Sequence, residues 1–499
     1  MYSGALAAFS ILNHLVHMQR LETRLQRCSS RLLDGKLTKS EALFYFALLS
    51  RNQPDSSNIS DVADELGFSF ADAMDSIRGL AKKGLVAPGF EKPLRAIFPV
   101  REEGSLRRTN GASAYPLKVE RVRLTDWHKG ITEIARQLDD TNVKMLPAMW
   151  NYGPRNLFEV SRRTRIPLSS VYQRVAELET RSKRIAALIP QVSALGLVRI
   201  LVLVSANAGC ENTVTAALKA PNYWRSVNRC EGVFTHSSIQ LIPAKFLKQF
   251  RRYVKRLQEL DLVTKVSIIL TGEYIPNFPN FSYYSPTSNE WTFQWGNWLA
   301  AMSKKPTQTI EDPEGYSIRA DKKDMLIVKE LQKNGRKSFA ELAPLLGISL
   351  QGVKYHYDKK LVPTGIVKYF GFDVWPYPEE VSAYHEILLN FKNSQYMNRF
   401  VSLMPELFFV LGVAKVLRRT GLVVRTYILE NQVPNLFAFL SEMAVRGHLE
   451  SYSAIRQGFV ERDVQTISYE LFDEGNGWIF DFKKCNAALL KLTRRVTVD

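Results

Sequence analysis

Cysteine is scarce: four occur in 499 residues, at Cys28, Cys210, Cys230 and Cys485, and no two form a Cys-x-x-Cys pair. That spacing offers neither a disulfide framework nor a zinc site, and it fits a reducing, cytoplasmic compartment. Histidine is thin as well, with seven in the chain. His14 and His17 can share a helix face, but no third metal ligand accompanies them. There is no His-Glu-x-x-His, no nucleophile elbow and no phosphate-cradling loop; Gly335-Arg336-Lys337-Ser338 lacks the upstream glycine of a P-loop. The expectation is a protein that is not an enzyme and carries no cofactor and no metal. No apolar run is long enough to span a bilayer, so no membrane partner is expected. The partly apolar stretch Ala5 to Val16 is broken by Asn13 and His14 and reads as an amphipathic packing helix. Acidic residues are also in deficit, 49 against 67 basic ones, for a net charge of +18. A surplus of that size favours a polyanionic partner, nucleic acid above all.

What is present is an internal repeat. At an offset of 182 residues Gly153 falls on Gly335, Leu157 on Phe339, Glu159 on Glu341, Val160 on Leu342, Ile166 on Ile348, Leu168 on Leu350 and Val171 on Val353. At an offset of 187, Trp291, Phe293 and Trp295 fall on Trp478, Phe480 and Phe482. The repeated spans are 138–303 and 320–490, too long for a chance match of two helices.

Each span opens with three short helices. In the second, Asp324 to Lys333 is a helix for which Asn334-Gly335 is the expected C-cap. Ser338 caps Phe339 to Leu346 with Glu341 in capping-box position, Gly347 supplies a left-handed turn, and Ser349 caps Leu350 to about Lys359. Helix, glycine turn, helix is the helix-turn-helix pattern, and Gly365 to Phe370 is a wing strand. The first span repeats the layout with Leu157 to Thr164 and Ser169 to Glu179, but Arg163 and Thr164 replace Leu345 and Leu346. A third copy, Ile59 to Leu66 and Ser69 to Leu80, precedes both.

Behind each main motif the signals run β-α-β-β-α-β, which is the ferredoxin-like arrangement. The strands and helices are Leu197 to Ser205, Glu211 to Ala220, Val227 to Glu231, Val233 to Ile242, Phe246 to Leu260 and Val263 to Leu270. In the second span they are Tyr384 to Phe391, Gln395 to Met404, Phe408 to Leu417, Leu422 to Leu429, Asn435 to Arg446 and Glu450 to Ile455. The fold class is therefore α+β, winged helix-turn-helix domains plus two ferredoxin-like domains in tandem. The expected domains are an N-terminal helix (1–34), a winged helix (35–100) and a linker with a helix (101–137). A helix-turn-helix (138–186), a ferredoxin-like domain with aromatic tail (187–303) and a linker (304–319) follow. A second helix-turn-helix (320–372) and ferredoxin-like domain (373–490) complete the chain. The open sheet faces need cover, and the second copy in the same chain supplies it as an intramolecular pseudo-dimer.

Asp321 to Phe370, with Asp324, Ile327, Leu331, Asn334, Arg336, Glu341, Leu342, Gly347, Ile348, Ser349, Val353, Gly365 and Ile366, resembles the opening pattern of the leucine-responsive (Lrp/AsnC-like) transcription regulators. The resemblance covers both spans. It implies a nucleoid-associated regulator of double-stranded DNA, homodimerisation through the α+β domain, and an amino acid or similar small effector. Siroheme decarboxylases resemble the same two-domain plan; that alternative needs a tetrapyrrole pocket with basic and histidine residues, for which His236 and His385 are the candidates. A winged-helix protein scaffold is a third reading.

Phosphate contacts by Lys and Arg carry most DNA affinity, and base edges give specificity. Residues 154–184 hold eight basic against three acidic residues, and 321–370 ten against five; 60–83 hold three against five. The two repeats are thus the expected DNA readers, and the N-terminal winged helix is expected to bind a protein partner. The candidate DNA contacts are Arg162, Arg163, Arg165, Ser170, Tyr172, Gln173 and Arg174 in the first motif. In the second they are Arg336, Lys337, Gln351, Lys354, Tyr355 and His356. Gln and Arg suit bidentate contact to adenine and guanine. Ser169 and Ser349 are read as caps, and the basic stripe Lys245, Lys248, Arg251, Arg252, Lys255, Arg256 as a solvated helix face, with a second nucleic-acid surface as the alternative.

Overall fold

The computed structural model describes Ser76 and residues 119–123, 138–182, 186–372, 375–377 and 379–496. The expected helix at 1–34 and winged helix at 35–100 lie outside the described residues, Ser76 apart, as does most of 101–137. Within that last segment Val119–Arg123 is a strand, β1, where a linker and a helix are expected.

Helices α1 (Asp140–Tyr152), α2 (Leu157–Thr164) and α3 (Leu168–Ser182) and strand β2 (Ala186–Ile189) form the first motif. The first α+β unit is β3 (Leu197–Ala206), α4 (Glu211–Lys219), β4 (Trp224–Glu231), β5 (His236–Pro243), α5 (Leu247–Glu259) and β6 (Val263–Pro276). Its tail is β7 (Tyr284–Ser285), β8 (Glu290–Gln294) and α6 (Trp295–Ala301). The second motif is α7 (Lys322–Lys333), α8 (Phe339–Leu346), α9 (Leu350–Tyr355, continued by π-helical turns over His356–Leu361) and β9 (Tyr369–Phe372). The second unit is β10 (Ser382–Phe391), α10 (Ser394–Leu403), β11 (Val410–Val416), β12 (Gly421–Leu429), α11 (Val433–Val445) and β13 (Leu449–Val464). Its tail is β14 (Phe472–Asp473), β15 (Gly477–Trp478) and α12 (Phe482–Val496).

Alternation builds these elements. On α5, Phe250, Tyr253, Val254 and Leu257 are buried at spacings of three and four, while Lys248, Arg251, Arg252 and Lys255 stay exposed. The four strands of each unit pair in ferredoxin-like order, and the two sheets then join at both edges. Strand β11 pairs with β6 (Val413 opposite Ile275), and β13 pairs with β4 (Arg456 opposite Glu231). The result is one closed eight-stranded barrel, β10-β12-β11-β6-β3-β5-β4-β13, with no free sheet edge. The helices cover its outside.

The aromatic tails are exchanged. Trp291, Phe293 and Trp295 follow the first unit but pack on Phe408, Phe409 and Phe439 of the second. Trp478 and Phe480 follow the second unit but pack on Tyr223 of the first, and Trp478 Nε1 donates to the Leu195 carbonyl at 2.6 Å. Strand β1 pairs with β8, Val122 opposite Trp291, and so edges the first tail. The 304–319 segment is tied down: the Thr307 and Gln308 amides donate to Ser402 Oγ at 2.9 Å, and Asp312 accepts from Lys415 and the Arg418 amide. The expected linker thus runs as a strap along the second unit.

Candidate nucleic-acid interface

The two motifs share one layout and one local logic. The Asp139 side chain caps α1, accepting from the Asn142 amide at 2.8 Å, and Asn156 caps α2. Leu157, Val160, Val171, Val175 and Leu178 then form the buried seam between α2 and α3. In the second motif Asp321 with Asp324, and Ser338 with Glu341, each close a full capping box, and Ser349 Oγ accepts from the Gly352 amide at 3.1 Å. The turn between the helices is left-handed in both copies. Gly347 takes it at φ 62°, and Arg165 takes the same place at φ 60°. Replacing Arg165 by glycine is therefore expected to leave thermal stability unchanged or raised by about 1 kcal/mol, because the strained rotamer-bearing residue goes.

The helix ends at Lys333 with Asn334 as its C-cap, as expected, but the cap is extended and not a left-handed turn. A Cβ on Gly335 would lie 2.8 Å from the Phe370 ring and 3.1 Å from the Ala186 carbonyl. Glycine stands there because the wing strands pass close. The Gly335 amide donates to that same Ala186 oxygen at 2.8 Å, and β2 pairs antiparallel with β9, Leu188 opposite Phe370. Each motif's wing strand thus pairs with the other's. Arg155 adds a second tie, its guanidinium lying 4.1 Å above the Phe339 ring and 5.2 Å from the Tyr357 ring centre. Arg155 and Glu179 are the interface residues that sequence reasoning missed; their partners lie in the other motif, beyond any helical period.

That packing sorts the candidate contacts. Tyr172 (55% exposed), Tyr355 (57%), Gln351, Lys354 and Arg165 stand out from the surface, and neither Lys354 nor Arg165 makes an ion pair among the described residues. Ser170 is half-buried, and Gln173 is exposed but bonds Glu177 at 3.0 Å. Arg162 and Arg163 both hold Glu159, and their hydrogen bonds, Arg162 first, bring its carboxyl down to about 2. Arg174 is committed to Asp139 at 2.5 Å. Three expected contacts turn inward. Arg336 is 19% exposed and faces Glu179 across the motifs at 3.5 Å, and Lys337 pairs with Glu330. His356 is 13% exposed, its Nδ1 2.6 Å from Asp324 Oδ1, so it braces the reading helix against α7 instead of offering a base contact. Asp321, Asp324 and His356 come close enough to share a cation, and the Lys360 ammonium, 2.6 Å from Asp321, already supplies that charge.

His236 and His385, the candidates for a tetrapyrrole, sit between sheet and helix. His236 is held by Thr235, Thr215 and the Glu211 carbonyl, and His385 faces Phe437. Burial lowers them to about 4 and about 3 respectively, with Arg229 and Arg456 adding to it. On acidification the unfolded chain takes up these protons near pH 6.5 while the native state refuses them, so stability falls as pH drops from 6.5 toward 4. The expected loss is up to about 1.4 kcal/mol per histidine per pH unit. Urea midpoints measured from pH 6.5 to 4.5 check it, and a His236→Gln, His385→Gln double variant flattens the profile.

Residues 321–359 match the family model described as winged helix-turn-helix DNA-binding. Among solved structures the chain is similar to the siroheme decarboxylase NirDL, at 10% identity over 71% of this chain and 99% of that one, with a TM-score of 0.43. The same decarboxylase in co-complex with an iron-uroporphyrin III analogue aligns at 10% identity over 71% and 98%, with a TM-score of 0.42. The transcriptional regulator NMB0573 from Neisseria meningitidis, in its L-Met complex, aligns at 19% identity over 27% of this chain and 88% of that one, with a TM-score of 0.24. No curated protein sequence matches the chain. The chain therefore carries a winged helix-turn-helix of the DNA-binding class. Among the described residues no helix is long and apolar enough to cross a membrane.

Proposed function

We propose that the protein is a DNA-binding transcription regulator of the leucine-responsive type, reading double-stranded DNA with two helix-turn-helix motifs held by the paired ferredoxin-like units. One observation carries the reading. The inner faces of both motifs are spent on each other, while α3 and α9 leave Tyr172, Gln351, Lys354 and Tyr355 exposed. Phosphate contact falls to Arg165 and Lys354, and base contact to Gln351 and Gln173. Because the copies differ in sequence, the DNA site is imperfectly symmetric. A protein partner at the N-terminal winged helix and a small effector belong to the same proposal.

The test is fluorescence anisotropy on genome-selected duplexes across a potassium chloride series. An Arg165→Gly, Lys354→Ala variant is expected to bind at least tenfold more weakly at about 0.1 M salt and to lose about two units of log–log salt slope, roughly one per phosphate contact. Unchanged affinity and slope would falsify the assignment.

A further inference from the structure

The barrel lumen is charged where a side-chain-filled core is ordinarily apolar. The Ser237 hydroxyl on β5 donates to Glu386 Oε2 on β10. Those strands are not neighbours in the barrel, so the bond crosses the lumen. Opposite Glu386 in the ladder, Arg425 donates to its other oxygen through Nε at 3.0 Å and Nη2 at 2.9 Å. Both carboxylate oxygens are thereby taken. Glu273, the next acid along β6, is taken as well, by the amides of Val192 and Ser193 at 2.9 and 2.7 Å.

Arg199 is left over. It is 5% exposed, on β3 in the same enclosure. Its Nη1 donates to the neutral Thr271 hydroxyl at 2.8 Å, and its guanidinium lies 5.4 Å from the Tyr274 ring centre. No carboxylate is within ion-pair distance of it among the described residues. Burial, and then Arg425, lower the guanidinium only to about 10, so it is charged at neutral pH. A buried charge without a counter-ion is strongly unfavourable in a low-dielectric interior. Arg425 beside it keeps 15% of its side-chain exposure, and Tyr274, stacked between the two arginines, is half-buried. An eight-stranded barrel has room for its own side chains or for one small ligand.

We propose that this lumen binds a small oxyanion, a carboxylate or a phosphate, held by Arg199 with Arg425 and the Thr271 hydroxyl. The ligand gives Arg199 a counter-charge in direct contact, where Glu386 and Glu273 act only from a distance, and lies between strands of both units, so its binding tightens the pairing of the two halves. The inference stands apart from the DNA reading, since its site lies inside the barrel and its test needs no DNA.

The experiment follows the thermal midpoint of the full chain in potassium succinate and in potassium phosphate, each at ionic strength matched with potassium chloride. Isothermal titration of the same two anions accompanies it. A saturable rise in one anion is expected, and the anion that produces it identifies carboxylate or phosphate as the source. Arg199→Met fills the same volume without the charge; it is expected to melt at or above the wild type in chloride and to bind at least tenfold more weakly. Should that variant fold poorly, Thr271→Val, which removes only the hydroxyl, is expected to weaken binding at least threefold. Lys255→Ala, on the exposed face of α5, is expected to keep the wild-type response. No saturable response to either anion, or the same response in Arg199→Met and Thr271→Val, overturns the proposal.

Discussion

Replacing Trp295 by alanine lowers the unfolding free energy by about 3–5 kcal/mol, the range for deleting a fully buried aromatic side chain. Trp295 is 0% exposed, packs 5.1 Å from the Phe409 ring and 5.8 Å from Phe439, and donates through Nε1 to Gln432 at 3.0 Å. The side chain comes from the tail of the first unit, and every one of those partners belongs to the second. The loss therefore falls on both units together. Urea unfolding followed by tryptophan fluorescence and by far-ultraviolet circular dichroism is expected to shift as one transition. A cost under about 1 kcal/mol, or a variant in which one unit melts and the other keeps its wild-type midpoint, would show that the tail is not structural cement.

The contrast between what the pattern of residues tells and what it hides is physical. Helices α2 and α8 begin and end where caps and apolar spacing put them, because capping is decided within four residues. The two βαββαβ orders are legible for the same local reason. The long final strands are not: β6 runs on from Leu270 to Pro276, and β13 from Ile455 to Val464. Thr271-Gly272-Glu273 breaks the apolar alternation and reads as a strand end, yet it is held by β11 of the other unit, 140 or so residues away. The charged residues divide likewise. Composition shows that α9 is basic, but not that His356 is spent on Asp324, 32 residues earlier, or Arg174 on Asp139, 35 residues earlier. Tertiary partners decide which of the candidate cations stay unpaired, and among the described candidates Lys354 and Arg165 do.

Gly412→Ala is the second change of large expected effect, and it tests closure of the barrel directly. Gly412 sits on β11 at φ 153°, where an added Cβ would lie 2.5 Å from the Ile275 carbonyl and 2.6 Å from the Tyr274 ring. The ring has nowhere to go, since Tyr274 Oη already donates to the Leu411 carbonyl at 3.0 Å. The chain on the other side is pinned too: the Asn277 amide donates to Leu411 at 2.8 Å, and its side chain to Met404, Leu407 and Val410. Overpacking against backbone together with a disfavoured backbone angle costs about 3 kcal/mol or more. The damage is confined by position to the seam between β6 and β11, since the opposite seam, β4 with β13, carries none of these contacts. Amide hydrogen exchange is expected to show protection lost over 271–277 and 412–416 and retained over 226–231 and 456–464. A variant that keeps full protection at the first seam would mean that the seam absorbs the added Cβ without opening; absence of protection over 271–277 and 412–416 in the wild type itself would mean that the two sheets do not close there.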